Sequence, residues 1–214
     1  MKKVKRAFNY EDISRKKFES IKIHEDWEAH LGSPQLGNSQ WIVCGDSGHG
    51  KTSYLLQLAK MLCASYRVHY DTLEEGMKKS FKMALERSNI KSVKSKFIFS
   101  QETLEELTVR LDRPRQPKIV IIDSVQYFFR GCKVQDYFNF IEKFQNTTFI
   151  WVSAIRGNLP MGAVAEAIYY DCDIRVNVRK FEAVIEKNRF EAYGSYIIWE
   201  EGYQRSQTKL LLKG

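Results

Sequence analysis

Eight consecutive residues match the pattern GxxxxGK[ST], in which two glycines stand five positions apart and are followed by lysine and a hydroxyl residue. Glycines let consecutive backbone N–H groups wrap a phosphate, and the start of the next helix adds its positive dipole end. In this spacing Lys51 is expected to reach the β- and γ-phosphates of a nucleotide, and the Thr52 hydroxyl to bind Mg²⁺. His49 fills a variable position of the pattern and is expected to face solvent. The predicted phosphate-binding loop consists of Gly45, Asp46, Ser47, Gly48, His49, Gly50, Lys51 and Thr52.

A single carboxylate ends the apolar segment 119–122. Asp123 then stands at the carboxyl end of a predicted central strand, where it can hold Mg²⁺ opposite the phosphate-binding loop. The alternative is an aspartate that only caps the end of a strand. With Thr52, Asp123 is the predicted metal ligand, and the predicted cofactors are ATP and Mg²⁺.

Hydrolysis of a nucleotide needs a group that orients or deprotonates water. Segment 71–75, with the sequence DTLEE, follows the second predicted strand, so its carboxylates should emerge at the same sheet edge as the phosphate-binding loop. Glu74 is the candidate base and Glu75 the reserve, and a simple acidic helix start is the alternative interpretation.

Strand-like and helix-like segments alternate along most of the chain, which predicts a parallel sheet with helices on both faces. The apolar stripe Leu55, Leu58, Ala59 and Leu62 follows helical spacing. The predicted strands are 41–44, 68–70, 97–99, 119–122 and 149–152. The predicted helices are 51–66, 77–88, 103–111 and 137–144.

The pattern changes in the last third of the chain. Segments 174–178 and 181–185 alternate apolar with polar residues on either side of a predicted turn, and 196–199 and 210–212 are predicted as further strands. The predicted fold is therefore α/β, with a mostly parallel central sheet flanked by helices and antiparallel C-terminal strands. The predicted division is a basic N-terminal arm, 1–35, and one domain, 36–214.

Composition narrows the class of protein. The chain has 214 residues, of which 43% are hydrophobic, but no apolar run approaches the ~18 residues of a membrane span. The N-terminus has no apolar run after its charges, so no secretory signal is expected. The four cysteines form no CxxC pair, which favours a reducing compartment. A cytoplasmic protein without a membrane partner is the expectation.

The net charge of +8 is unevenly distributed. Residues 1–22 carry eight basic and three acidic side chains, and residues 76–98 carry seven basic side chains beside Glu86 alone. Such clusters attract polyanions, although a solvated surface is the plainer interpretation. We call the second group the basic cluster. Its members are Lys78, Lys79, Lys82, Arg87, Lys91, Lys94 and Lys96.

Together these motifs resemble the RecA superfamily of P-loop NTPases, and within it the ATPase core of RadA/Sms proteins, over about residues 41–202. Residues 45–59 resemble that family's phosphate-binding loop and helix, and 68–76 its second strand with the glutamate that activates water. Residues 119–126 are similar to its Walker B segment. Residues 151–157 are similar to its sensor strand, which leads into a DNA-contacting loop, and the sensor position falls on Ser153 or Ala154.

The segment EKNRF, 186–190, resembles the family signature KNRFG, whose basic residues act on the nucleotide of a neighbouring subunit, although Glu191 replaces its final glycine. This resemblance implies that Lys187 and Arg189 complete a neighbour's site. It therefore implies a homo-oligomer with composite interface sites. The loop 155–162 is then the expected contact for single-stranded DNA, with Arg156 as the foremost residue, helped by the basic cluster and the arm.

Three functions follow from these observations. The first is a RecA-like ATPase that assembles and acts on single-stranded DNA in recombination, repair or replication. The second is an ATP-dependent assembly switch or loader that recruits a protein partner, which the lack of the RadA zinc module and Lon-protease-like domain favours. The third is a small-molecule kinase, which is disfavoured because 123–149 contains no arginine-rich lid.

Overall fold

The protein is built around a central β-sheet. The structure is a computed structural model that describes residues 6–211. Its strands are β1 (Ser39–Cys44), β2 (Val68–Thr72), β3 (Phe97–Ser100), β4 (Ile119–Asp123), β5 (Thr148–Ser153), β6 (Ile155–Arg156), β7 (Leu159–Pro160), β8 (Ile174–Arg179), β9 (Glu182–Asn188) and β10 (Ser195–Ile197).

Eight of these strands form one sheet in the order β10-β9-β8-β1-β5-β4-β2-β3. All neighbours from β8 to β3 are parallel, whereas β9 and β10 add antiparallel strands at the C-terminal side. The predicted fold class is therefore confirmed. Strands β1, β2, β4 and β5 are buried along their whole length, because helices cover both faces of the sheet.

The described residues form nine α-helices, and helices cover both faces of the sheet. They are α1 (Tyr10–Ser14), α2 (Glu25–Leu31), α3 (Lys51–Leu62), α4 (Lys79–Arg87), α5 (Leu104–Leu111), α6 (Val125–Phe128), α7 (Val134–Lys143), α8 (Ala163–Asp171) and α9 (Glu200–Leu211), with a 3₁₀ turn at Ile90–Val93.

Two hydrophobic cores result, one on each face. The first surrounds Trp41, Tyr54 and Ile121 and includes the predicted apolar stripe of α3. The second is rich in aromatic residues, among them Phe149 and Trp151. Because α3 buries its stripe against β1, the phosphate-binding loop between them is fixed at both ends.

Helix 51–66 was predicted to extend further than α3, which ends at Leu62 with Cys63 as its C-cap. The predicted strand 210–212 is wrong, because residues 210 and 211 belong to α9, and residue 212 lies outside the described range. A three-residue apolar run cannot distinguish a strand from a helix. In α9 the pairs Gln204–Glu200 and Arg205–Glu201, spaced four residues apart, support the helix.

The segment 20–35 packs against the domain although it falls within the predicted arm. Ile21, Trp27 and Leu31 are buried in the first core. The ring of His30 bridges the Tyr54 hydroxyl and the Gly194 carbonyl, each at 2.9 Å. Residues 1–5 of the predicted arm lie outside the described range, and the boundary at residue 35 stays a prediction.

Within residues 6–211, no helix is both long enough and apolar enough to cross a membrane.

Candidate nucleotide-binding site

The phosphate-binding loop joins the end of β1 to the start of α3, and two of its glycines are required by its geometry. A Cβ atom at Gly45 would collide with the Val178 carbonyl of β8. Gly50 has φ of 105°, a left-handed conformation that only glycine adopts readily, just before the first turn of α3. The loop is therefore packed closely between β8 and α3. The first N–H groups of α3 have no partner within the helix and can face the centre of the loop.

The Lys51 ammonium group folds back onto the loop. Its Nζ atom donates hydrogen bonds to the carbonyl oxygens of Gly45, at 2.8 Å, and Asp46, at 2.9 Å. Burial lowers the pKa of Lys51, and the negative charges of Asp123 and Glu74 oppose this effect. Lys51 is thus a cation held at the centre of the loop by partners that phosphate oxygens can replace.

Asp123 lies at the carboxyl end of β4, where the residue is 6% exposed. Its Oδ2 atom accepts a hydrogen bond of 2.7 Å from the Tyr70 hydroxyl of β2. Burial, together with the nearby carboxylates Glu74 and Glu75, raises the pKa of Asp123 to about 6, against the opposing effects of the Tyr70 hydrogen bond and Lys51. Tyr70 fixes one carboxylate oxygen and leaves the other to bind a cation.

Glu74 and Glu75 lie in the turn after β2, as the sequence predicted. The backbone N–H of Glu74 donates to the Asp123 carbonyl at 3.3 Å, which anchors the turn to β4. Glu74 is exposed, whereas Glu75 is half-buried, and its Oε2 atom has no hydrogen-bond partner within residues 6–211. Both side chains border the same space as Lys51, so the choice between them stays open.

One cavity of about 340 Å³ brings most of the predicted site together. The phosphate-binding loop, both glutamates and Asp123 line it, and Ala154, one of the two candidate sensor positions, lies on its wall. Arg87 and Phe181 are among the wall residues that the sequence did not assign to the site. The sequence places Arg87 only in the basic cluster and Phe181 only in a predicted strand. The position of Phe181 at the cavity depends on the pairing of β8 with β1, which no local sequence pattern encodes.

The exposure of the His49 side chain differs from the prediction. It was predicted to face solvent, but its side chain is half-buried. The Nδ1 atom lies 3.9 Å from Asp46 Oδ2 and, among the described residues, has no hydrogen-bond partner. The physical reason is the β8–β9 hairpin, whose Phe181 N–H donates to the His49 carbonyl at 3.0 Å and covers that side of the loop.

The second candidate sensor residue, Ser153, takes part in a hydrogen-bond network behind the cavity. Gln126, three residues after Asp123, donates to the Ser153 hydroxyl at 2.7 Å and to the Met161 carbonyl at 2.8 Å. Ser153 in turn donates to the Ala154 carbonyl at 2.8 Å. The network ties α6, which follows β4, to the end of β5 and to the 155–162 loop.

Arg156 lies in that loop and is exposed. The glycines and the proline of this loop disfavour regular structure, but β6 and β7 form a two-residue antiparallel ribbon within it. Gly157, with φ of 66°, supplies the turn that lets the ribbon close. Since β5 runs parallel to β1, the loop projects from the same sheet edge as the phosphate-binding loop.

Lys187 and Arg189 lie away from the cavity of their own chain. Asn188, between them, pairs with Ile174 at the start of β8, roughly 10 Å along the strands from the level of Cys44. Lys187 Nζ donates to the Tyr170 carbonyl at 3.1 Å. Arg189 Nε lies 3.6 Å from Asp173 Oδ1, and the arginine side chain is 61% exposed.

The residues present fit a nucleotide with Mg²⁺. Magnesium in phosphate sites takes one or two protein ligands and fills its other positions with water and phosphate oxygens. Thr52 and the free oxygen of Asp123 can supply these protein ligands. A cation bound between them would lower the raised pKa of Asp123, because it favours the charged carboxylate. Within residues 6–211, no group of three or more acidic, histidine or cysteine side chains forms a metal cage.

Comparison with known proteins agrees with this geometry. No family model matches the chain. The DNA repair protein RadA of Chlamydia trachomatis is 27% identical over 195 residues, which cover 80% of this chain and 42% of that protein. RadA of Pseudomonas aeruginosa is 29% identical over 99 residues, 46% of this chain and 21% of that protein. The chain thus spans about two fifths or less of the length of these relatives.

Among solved structures, the flagellar accessory protein FlaH from Methanocaldococcus jannaschii superposes with a TM-score of 0.62 at 15% identity, covering 84% of this chain and 94% of that one. This likeness concerns the fold. Together with the RadA relatives, it confirms the predicted resemblance: the chain has a RecA-like fold and resembles the ATPase core of RadA proteins.

Proposed function

We propose that this chain binds ATP with Mg²⁺ and hydrolyses it. The observation that carries the proposal is the single cavity that joins the phosphate-binding loop, Asp123 and the two glutamates around Lys51. A loop that only turned the chain would need neither a cation at its centre nor carboxylates on the facing wall. Similarity to RadA supports the same activity.

Each residue has a definable task in this reaction. Backbone N–H groups of the loop and of the start of α3 bind phosphate oxygens. Lys51 exchanges its two carbonyl partners for phosphate oxygens, while Thr52 and Asp123 hold Mg²⁺. The ion, when bound, neutralises charge on the transferred phosphoryl group. Glu74 orients the attacking water and accepts its proton.

Glutamine at position 74 is expected to preserve ATP binding and slow hydrolysis at least ~100-fold, the usual scale for losing general-base help. The amide keeps the size of the side chain but cannot accept a proton. Glu75→Gln is the matched control, because Glu75 lines the same cavity. The measurements are steady-state ATPase rate and equilibrium ATP binding. If only Glu75→Gln has the hydrolysis defect, the assignment is off by one residue.

The proposal extends to a homo-oligomer with composite sites. Lys187 and Arg189 lie too far from their own cavity to act there, whereas the Arg189 side chain is exposed and available to a second copy of the chain. A guanidinium supplied by a neighbour stabilises charge on the transferred phosphoryl group and makes turnover depend on assembly.

Single-stranded DNA is the proposed ligand of the oligomer, with the 155–162 loop as its contact. The Gln126 network supports this proposal, because it links that loop to α6, the helix that begins two residues after Asp123. A loop displaced by DNA would therefore alter the nucleotide site.

Alanine at position 156 is expected to weaken binding of single-stranded DNA for all sequences alike and to lower the salt slope by about one, as removal of one phosphate contact does. Single-stranded DNA should also raise the wild-type ATPase rate, and less so in the variant. Arg113→Ala is the control, since Arg113 is exposed beyond α5 at the opposite sheet edge. The measurements are fluorescence anisotropy at several salt concentrations and ATPase rate.

Unchanged affinity and salt dependence in Arg156→Ala would contradict the DNA contact. ATP turnover that single-stranded DNA leaves unaffected would instead favour the assembly switch or loader that recruits a protein partner.

A further inference from the structure

The tip of the β8–β9 hairpin is held firmly against the phosphate-binding loop. Arg179 pairs with Glu182, so Lys180 and Phe181 form a two-residue turn with φ values of 51° and 63°. Such turns favour glycine or asparagine, and a bulky residue in this region is rare. The Phe181 N–H donates to the His49 carbonyl at 3.0 Å, and its carbonyl accepts from Ile198 at 2.8 Å. Phe181 thus holds an unfavourable positive φ next to the phosphate-binding loop, and residues strained in this way cluster at functional sites.

The order of the strands gives the cavity two distinct ends. Asp123 ends β4 and Glu74 follows β2, and both strands lie on one side of β1. Phe181 follows β8, on the other side of β1. The terminal phosphate of a bound nucleotide must lie near Asp123 and Glu74, where the cation and the water are handled. The nucleoside end is therefore directed toward β8 and the hairpin tip.

Phe181 is the aromatic side chain on that wall. Among the described residues lining the cavity, no other is aromatic. Its ring lies against the last glycine of the loop, because a Cβ at Gly50 would stand 3.1 Å from the Phe181 Cδ1 atom. Trp199 packs against the same ring in a T-shaped arrangement, with centroids 5.0 Å apart and an interplanar angle of 83°. The phenyl ring is thus packed against Trp199 and still borders the cavity.

We propose that Phe181 is the stacking platform for the nucleobase of the bound nucleotide, and that Trp199 holds the ring in position. This inference rests on the proposed nucleotide binding. Aromatic stacking tolerates any base, because every base has a π-face. The platform therefore adds affinity for nucleotides in general and none for a bare polyphosphate chain.

The test compares ligands with and without a base. In Phe181→Ala, the affinities for Mg²⁺–ADP and Mg²⁺–GDP should fall by the same factor, about 5- to 100-fold, the usual range for losing one stacking contact. The affinity for Mg²⁺–tripolyphosphate should stay unchanged, and Phe181→Tyr should retain wild-type binding of all three. Isothermal titration calorimetry measures each. Phe138→Ala on α7, another partly exposed phenylalanine, is the control that should change nothing.

An equal loss for nucleotides and tripolyphosphate would overturn the proposal, because the ring would then only support the loop. So would no loss for any ligand, or a loss confined to one of the two nucleotides. Phe181→Leu keeps the apolar packing if the alanine variant fails to fold, and the same selective loss is expected of it. Failure of the proposed function is distinguishable, since the wild-type chain would then bind neither nucleotide nor tripolyphosphate.

Discussion

Lys51→Ala is expected to abolish ATP turnover and leave the fold intact. The Lys51 hydrogen bonds found within residues 6–211 go to the carbonyls of Gly45 and Asp46 and not to either hydrophobic core. Removing the ammonium group therefore removes the cation that binds the β- and γ-phosphates without opening a cavity in the protein. ATPase rate measures the loss, and circular dichroism with thermal unfolding measures the fold.

Lys60→Ala, in the last turn of the same helix, is the matched control for this variant. It removes a lysine of similar helical context that lies away from the loop. Undiminished hydrolysis in Lys51→Ala would remove the assignment of the phosphate-binding loop.

Arg189→Ala is expected to lower ATP turnover by ~10³–10⁵-fold if its guanidinium acts on a neighbour's nucleotide, the range known for such residues. A monomer would then contain no complete site, so the specific ATPase rate of the wild type should rise with protein concentration. Arg189→Ala subunits should also inhibit a mixture with wild type. Light scattering at the same concentrations relates activity to assembly, and Arg113→Ala again serves as the exposed arginine control.

Mixing Arg189→Ala with Lys51→Ala gives the sharper measurement. Each variant alone should be inactive, but a mixed oligomer can join an intact phosphate-binding loop to an intact Arg189 and recover activity. No recovery, in a mixture that light scattering shows to be assembled, would mean that Arg189 does not act between subunits. The ion pair of Arg189 with Asp173 would then be its whole role.

The sequence predicted those parts of the fold whose signal is local. Continuous apolar runs identified β1, β4 and β5, and helical spacing identified α3, because burial on two faces or on one stripe leaves a periodic pattern. Helix α2 escaped prediction because its burial depends on partners far along the chain. His30, for example, is held by Tyr54 and Gly194.

The candidate site likewise contains residues that a local sequence pattern predicts and residues that it does not. The phosphate-binding loop, Asp123 and the Glu74–Glu75 turn each follow a strand with a clear pattern, and parallel strands must bring their carboxyl ends to one edge. Arg87 and Phe181 reach the cavity from α4 and from the hairpin beyond β1. Their positions depend on strand order and helix packing, which the local sequence does not specify.

The contact between Phe181 and Trp199 has a practical consequence for spectroscopy. Of the four tryptophans in the chain, Trp27, Trp41 and Trp151 are buried, whereas Trp199 is 45% exposed. A soluble quencher such as acrylamide therefore reaches one indole in preference to the other three. That indole touches the ring that borders the nucleotide cavity, so the intrinsic fluorescence of the unlabelled protein contains an optical probe at the edge of its own candidate site.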